Sequence, residues 1–281
     1  MRYSFKDIKW VKLLLLSFLG IALGMSSAII VSYVRANYDD IQLTVRQKLA
    51  THESSDVSHK AFVLVSLDNH VIPDDCMDNE DMSMWDECPE ASGFTITSRG
   101  SGVVIGTSKG VSYVLTASHV CKHQKAEAVI VDGAPYSYTN SEQLTVIGYD
   151  GIARRSMIVG ADEDNDICLV LSLGVWTAPA KIAKNEPLQG EHVYNIAAPM
   201  GIFAPGMALL FDGHFSGVDP DHNAFYTIPA WPGSSGSPVF NTNGEVIGII
   251  HSATPIFPNI SVASRLEDIQ SLLNRHSVFL H

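Results

Sequence analysis

Hydrophobic and polar positions divide the chain into three unlike stretches. From Leu13 to Val34, 22 consecutive positions carry no charge, which is long enough for a helix to cross a bilayer. Ile41, Val45 and Leu49 then fall four apart with polar residues between them, a narrow helical stripe, and Thr51 to His59 reads as a short polar linker. From Lys60 the period shortens to that of strands. β-rich runs recur at Ala61–Leu67, Gly93–Thr97, Gly102–Ile105, Ser112–Leu115, Ala128–Val131, Leu144–Tyr149 and Ile167–Leu171. A second set follows at His192–Ala197, Met207–Phe211, Gly213–Val218, Ala224–Ile228, Pro238–Phe240, Glu245–Ile250 and Ile260–Val262. Short strands separated by turn residues predict an all-β sandwich or barrels. About fourteen strands over about 200 residues fit two barrels better than one. The end of the chain returns to a helical pattern. Ser264-Arg265-Leu266-Glu267 reads as a capping box, and Leu266, Ile269, Leu272 and Leu273 share a face, which predicts a C-terminal helix over 264–275.

Charge places the apolar run in a membrane. Arg2, Lys6, Lys9 and Lys12 precede it, and only Arg35 closely follows before Asp39 and Asp40. Positive charge on the N-terminal side predicts that this side stays in the cytoplasm and the rest lies outside. A cleaved signal peptide is the rival, and Ser26-Ser27-Ala28 offers small residues for a peptidase. Its apolar region is usually only about 7–15 residues, so the length favours an anchor. The expected organisation is a cytoplasmic N-terminus over 1–12, a transmembrane signal-anchor over 13–34, a juxtamembrane stalk over 35–59 and a folded extracytoplasmic domain over 60–281.

Composition narrows the function. The 281 residues are 46% hydrophobic, enough for one large or two small domains with a sizeable core. A net charge of -12 argues against a nucleic-acid partner, which calls for a basic footprint. Much of the negative charge is local: Asp74, Asp75, Asp78, Glu80, Asp81, Asp86, Glu87 and Glu90 interrupt the first strand set. Cys76 and Cys88 enclose this segment, and outside the cytoplasm such a pair would close a disulfide loop. The acids lack the spacing of a calcium loop, so the segment reads as a solvated surface insertion, and no metal or cofactor is expected.

Three short motifs carry candidate chemistry. In Pro232-Gly233-Ser234-Ser235-Gly236-Ser237-Pro238, glycines flank a serine pair. Glycine admits backbone torsions that turn successive N–H groups toward one point, beside a hydroxyl nucleophile. In Thr116-Ala117-Ser118-His119-Val120 a histidine follows a β-rich run. In Asn165-Asp166-Ile167-Cys168-Leu169-Val170 an aspartate abuts an apolar strand. Serine is a poor nucleophile without a base, imidazole is that base near neutral pH, and a carboxylate fixes its tautomer. Each residue also has a plainer reading: a helix cap or surface histidine, a loop acid like Asp162 and Asp164, an ordinary Ser/Gly turn.

These motifs resemble those of chymotrypsin-fold (trypsin-like) serine proteases, over roughly Ala61 to His276. The bacterial branch, heat-shock proteases and glutamyl endopeptidases, is the nearest in pattern. Thr116–His119 resembles the histidine motif, Asn165–Leu169 the aspartate motif and Gly233–Phe240 the serine motif. Gly100–Ile105, Ala198–Gly201 and Glu245–Ile249 resemble flanking segments of those enzymes. The resemblance implies two packed antiparallel six-stranded β-barrels, at about 60–172 and 190–263, with the site in the cleft between them. It makes His119 the general base, Asp166 its orienting partner and Ser235 the nucleophile, with the N–H groups of Gly233 and Ser235 as oxyanion hole. The Gly-Xaa-Ser-Gly-Xaa-Pro register selects Ser235 over Ser234.

By the same resemblance Pro229, Ala230 and Trp231 form one wall of a specificity pocket, and His251, Ser252 and Ala253 the other. No aspartate stands where cleavage after Arg or Lys would need one, so a small or apolar side chain is expected. His251 falls one residue late for the acidic-side-chain role that a histidine plays in glutamyl endopeptidases. Cys121 and Cys168 each follow a triad position by two residues, and a disulfide between them is expected in an oxidising compartment, with two buried thiols as the alternative. The expected partners are protein or peptide substrates and, through the N-terminal helix, a membrane. A catalytically silent peptide-binding groove is the competing function; a hydrolase of another fold is disfavoured because no Gly-Xaa-Ser-Xaa-Gly elbow is present. The chain ends soon after the predicted helix, so the extra C-terminal module of many heat-shock proteases is not expected.

Overall fold

The computed structural model describes residues 59–73, 93–122, 129–131, 134–174, 179–254, 256–257 and 259–278. The expected transmembrane segment, the stalk up to residue 58, the Cys76–Cys88 pair and the acidic insertion lie outside the described residues. Among the described residues no helix is long and apolar enough to cross a membrane.

Seven strands come first: β1 (Phe62–Pro73), β2 (Phe94–Ser108), β3 (Val111–Thr116), β4 (Val129–Val131), β5 (Ala134–Gly148), β6 (Ala153–Asp162) and β7 (Ile167–Leu173). They order as β1-β2-β3-β7-β6-β5-β4, and β1 also pairs with β5. That extra pairing closes β1, β2, β3, β7, β6 and β5 into a six-stranded antiparallel barrel, with β4 attached to β5. Closure removes the free edges that would otherwise invite pairing with other chains. A single helical turn, α1 (Ser118–Cys121), follows β3.

The second set is β8 (Lys181–Ile182), β9 (His192–Ala197), β10 (Phe203–Ala204), β11 (Met207–Val218), β12 (Ala224–Tyr226), β13 (Pro238–Phe240), β14 (Glu245–Ala253) and β15 (Ser261–Arg265). Its order is β10-β11-β12-β15-β14-β13-β9, and pairing of β11 with β9 closes a second six-stranded barrel. β8 adds to the side of β14 in parallel. The expected all-β fold of two six-stranded barrels with a C-terminal helix is what the structure shows.

Period-two alternation sorts side chains between two kinds of core. In β1, Val63, Val65 and Leu67 pack with Val104, Val114, Val146 and Val170 inside the first barrel. Phe62 and Leu64 point the other way and join Ile167, Leu169, Ile196, Phe240 and Ile249 in a cluster shared by both barrels. Each of these fully buried apolar side chains stabilises the fold by about 1.5–3 kcal/mol. The helix α2 (Leu266–Arg275) adds Ile269, Leu272 and Leu273 to the shared cluster, so it clamps one barrel to the other.

The helix starts at Leu266 rather than at 264, and its cap falls one residue later than the sequence expectation. Asp268 accepts the N–H of Arg265 at 3.1 Å, so the box runs from Arg265 to Asp268. The hydroxyl of Ser264 donates to the carbonyl of Ile249, because Ser264 still belongs to β15 and faces β14.

Candidate active site

His119 owes its position to two buried neighbours. Ala117 and Val120 are almost fully buried, 0% and 3% exposed, as is Ser118, and they pin α1 so that His119 projects outward. Cys121 and Cys168 form a disulfide with Cα atoms 6.5 Å apart, which ties α1 to β7.

Asp166 ends the turn between β6 and β7 with φ at +50°. That region is unfavourable for most L-residues, and aspartate is among those that enter it more readily. The turn aims the whole residue at α1. Its Oδ2 accepts the Nδ1–H of His119 at 2.6 Å, its Oδ1 accepts the backbone N–H of His119 at 3.0 Å, and its carbonyl accepts the N–H of Ser118 at 3.2 Å. An ionised carboxylate only accepts, so Nδ1 carries the proton and Nε2 of the neutral ring is left as a base. Burial pushes the Asp166 carboxyl up, but the two hydrogen bonds from His119 and the fields of His119 and His251 outweigh it, and the net shift is downward.

The serine loop is fixed almost atom by atom. The N–H of Ser234 donates to the carbonyl of Trp231 at 2.8 Å, that of Gly236 to Ile250 at 2.6 Å, and that of Ser237 to Ser234 at 3.0 Å. From the first barrel, Ser101 reaches across: its N–H donates to the carbonyl of Ser235 at 2.7 Å and its hydroxyl to that of Gly233 at 2.8 Å. The N–H of Met200 holds the carbonyl of Pro232 at 2.6 Å. Asn195 supports the exit of the loop, donating to Ser237 Oγ and to the carbonyl of Pro238, each at 2.8 Å. Two glycines are obligatory here. Gly233 has φ +95°, and a Cβ on it would stand 2.6 Å from the carbonyl oxygen of Ala198. Gly236 has φ +85°, and its Cβ would stand 2.2 Å from Ser101 O and from Thr116 Oγ1. Gly236 therefore lies directly against the end of β3, just before the turn α1 that carries His119.

The N–H groups of Gly233 and Ser235 donate to no backbone or side-chain acceptor among the described residues, while Ser234, Gly236 and Ser237 between and beyond them all do. Two free donors thus stand in the loop that carries the Ser235 hydroxyl. That hydroxyl donates to the carbonyl of His251 at 3.5 Å, a long bond, and a rotation about χ1 would release it.

A cavity of about 410 Å³ opens beside Ser235. Ala230, Trp231, Ser252 and Ala253 line it; Pro229 and His251 do not. Pro232, Ser234, Ile250 and Thr254 also line it and were not anticipated; their place next to the expected wall residues was the available signal. No charged side chain is among these lining residues. Among the described residues, no three His, Cys, Asp or Glu side chains lie close enough to hold a metal ion.

Known proteins resemble this chain in sequence and in fold. The model of the trypsin-like peptidase domain family matches residues 100–249. A probable periplasmic serine protease do/HhoA-like from Haemophilus influenzae is 34% identical over 158 residues, 53% of this chain and 30% of that protein. The serine protease Do-like HtrA of Lactococcus lactis is 30% identical over 164 residues, 57% of this chain and 38% of that protein. The chain thus spans about a third of the length of these relatives. Among solved structures, the serine endoprotease from Yersinia pestis matches with a TM-score of 0.54 at 20% identity, over 80% of this chain and 66% of that one. The active form of the Rv3671c protease from M. tuberculosis matches with a TM-score of 0.54 at 16% identity, over 82% of this chain and 87% of that one. At such identities the structural likeness speaks for the fold.

Proposed function

The chain belongs to the trypsin-like peptidase domain family, and on that premise we propose that it is a serine endopeptidase working through Ser235, His119 and Asp166. The observation that carries this reading is the doubly bonded His119–Asp166 pair, which leaves Nε2 as a base beside a loop with two free N–H donors. Nε2 takes the hydroxyl proton of Ser235 as Oγ attacks a substrate carbonyl. The oxyanion that forms accepts from the N–H groups of Gly233 and Ser235; removal of one such donor typically costs about 10²–10³ in turnover. His119, now imidazolium beside the Asp166 carboxylate, returns the proton to the leaving amine. Water then releases the acyl group by the same route in reverse.

The cavity next to Ser235 carries no charged side chain, so the favoured residue on the acyl side is small or apolar. The setting is extracytoplasmic. The Cys121–Cys168 disulfide supports this, since such bonds persist outside the reducing cytoplasm. So does the relative from Haemophilus influenzae, described as periplasmic. A single-pass anchor over 13–34 would hold the domain at the membrane face.

One observation favours a silent groove instead: the Ser235 hydroxyl donates to His251 rather than to His119. A fluorophosphonate separates the two readings. The full chain should be labelled and Ser235→Ala should not; absence of labelling under conditions that label a control protease would reject the enzyme. Cleavage-site profiling on a peptide library then reads the side-chain preference, and dominant cleavage after Arg, Lys or Glu would contradict the apolar pocket.

A further inference from the structure

His251 stands in an unusual place. Ile250 and Ser252 on either side of it line the cavity, and His251 does not. The ladder between β14 and β15 slips here: Ile250 pairs with Ala263 and Ser252 with Val262, which leaves His251 as the extra residue of a bulge. Bulges re-aim a side chain, and they recur beside active sites. The carbonyl of His251 accepts the Ser235 hydroxyl. Its ring lies within electrostatic reach of Asp166 and of His119. The charged groups that act on the ring are thus Asp166, from the turn before β7, and His119, from α1. Through its carbonyl this residue touches Ser235, and through the charge of its ring it acts on Asp166 and His119. No hydrogen bond joins it to Asp166, whose two carboxylate oxygens each accept one from His119.

We infer that His251 is a positioning residue for the triad, neutral while the groove works, whose protonation sets a cation beside Asp166 and weakens that carboxylate's hold on His119. The inference rests on the serine-protease reading above. The chemistry of the position agrees with it. Burial pushes the His251 imidazole down from its ordinary value, the Asp166 charge pulls it partly back up, and the His119 charge pushes it down again; the net direction is down. The ring is therefore uncharged near neutral pH and titrates on the acidic side. Once charged, it competes with the His119 imidazolium for a single carboxylate.

The test is the rate of fluorophosphonate labelling of the full chain from about pH 5 to about pH 8, the range in which imidazoles change charge. In the wild type the acidic limb should steepen from a one-proton toward a two-proton dependence. His251→Gln should show a one-proton limb throughout, whatever the height of its plateau. A variant limb as steep as the wild type's overturns the inference. Failure of the wild type to label, or equal labelling of Ser235→Ala, would instead overturn the protease reading. A second measurement needs no substitution at His251: the ring's titration followed by NMR. Asp166→Asn should lower its midpoint by removing the neighbouring anion, and a midpoint that does not move overturns the inference as well.

Discussion

Asp166 receives two hydrogen bonds from one residue: the ring Nδ1–H of His119 at 2.6 Å and the backbone N–H of His119 at 3.0 Å. The backbone bond fixes where α1 starts relative to the carboxylate, and the ring bond fixes the tautomer. The pair is set by local geometry before any substrate arrives. Asp166→Asn keeps the shape but lets the amide donate to Nδ1, which leaves Nε2 protonated and unable to act as a base. Turnover on a peptide substrate should fall by about 10⁴-fold. The folded state should survive, which circular dichroism checks, and a loss below tenfold would remove Asp166 from its proposed role.

Gly233 tests the oxyanion donors. Its φ of +95° disfavours any L side chain, and an added methyl would press on the carbonyl of Ala198 at 2.6 Å. Gly233→Ala should turn the peptide away from the site and remove one free donor. A loss of about 10²–10³ in turnover follows, with KM little changed, because the donor acts on the transition state rather than on bound substrate. Full activity in this variant would show that the N–H of Gly233 plays no such part.

The disulfide ties α1, which carries the base, to β7, which directly follows its partner. Cys121 and Cys168 are 47 residues apart in sequence, and loop-closure entropy over that span is worth about 4 kcal/mol in the chain-entropy picture. Cys121→Ser with Cys168→Ser should lower the stability read by chemical denaturation by about 2–4 kcal/mol. The proposed activity should fall with temperature earlier than in the wild type, and an unchanged denaturation midpoint would refute a stabilising role.

Much of this architecture was readable in the chain because burial in barrels leaves a period-two trace. The runs at Ile167–Leu171 and Glu245–Ile250 appear as β7 and β14 nearly as expected. Two pairs of expected strands turn out to be single long ones. Gly93–Thr97 and Gly102–Ile105 merge in β2, and Met207–Phe211 and Gly213–Val218 merge in β11. Gly213 looked like a break, yet it sits mid-strand because a Cβ there would stand 2.5 Å from the carbonyl oxygen of Thr227. β6 left no such trace. From Ala153 to Met157 its positions alternate between exposed and partly exposed, and Ile158 is exposed as well, so neither face carries an apolar signal. His251 illustrates another limit. A bulge shifts the side-chain alternation by one, and nothing in Ile249-Ile250-His251-Ser252 announces it.

A last relationship links the C-terminal helix to the turn that presents Asp166. Arg275 pairs with Asp162, whose carboxylate also accepts the N–H of Asn165 at 3.1 Å, one residue before Asp166. The Asp162 side chain is only 9% exposed. Burial pushes its pKa up, but the bonds from Arg275 and Asn165 outweigh this and hold it below the usual carboxylate value. A depressed folded-state value contributes stability that is fully present above the unfolded pKa, near 3.8 for this carboxyl. That contribution is lost as pH falls through the folded value. Arg275→Ala should therefore destabilise the protein by about 1 kcal/mol at neutral pH, since half of the pair is solvent-exposed and a partly buried carboxylate is left with fewer donors. The difference between variant and wild type should shrink on acidification below about pH 4, where the unfolded chain takes up the proton. Urea titrations at several pH values check this: a difference that stays constant across that range would mean that Arg275 acts through its packing alone.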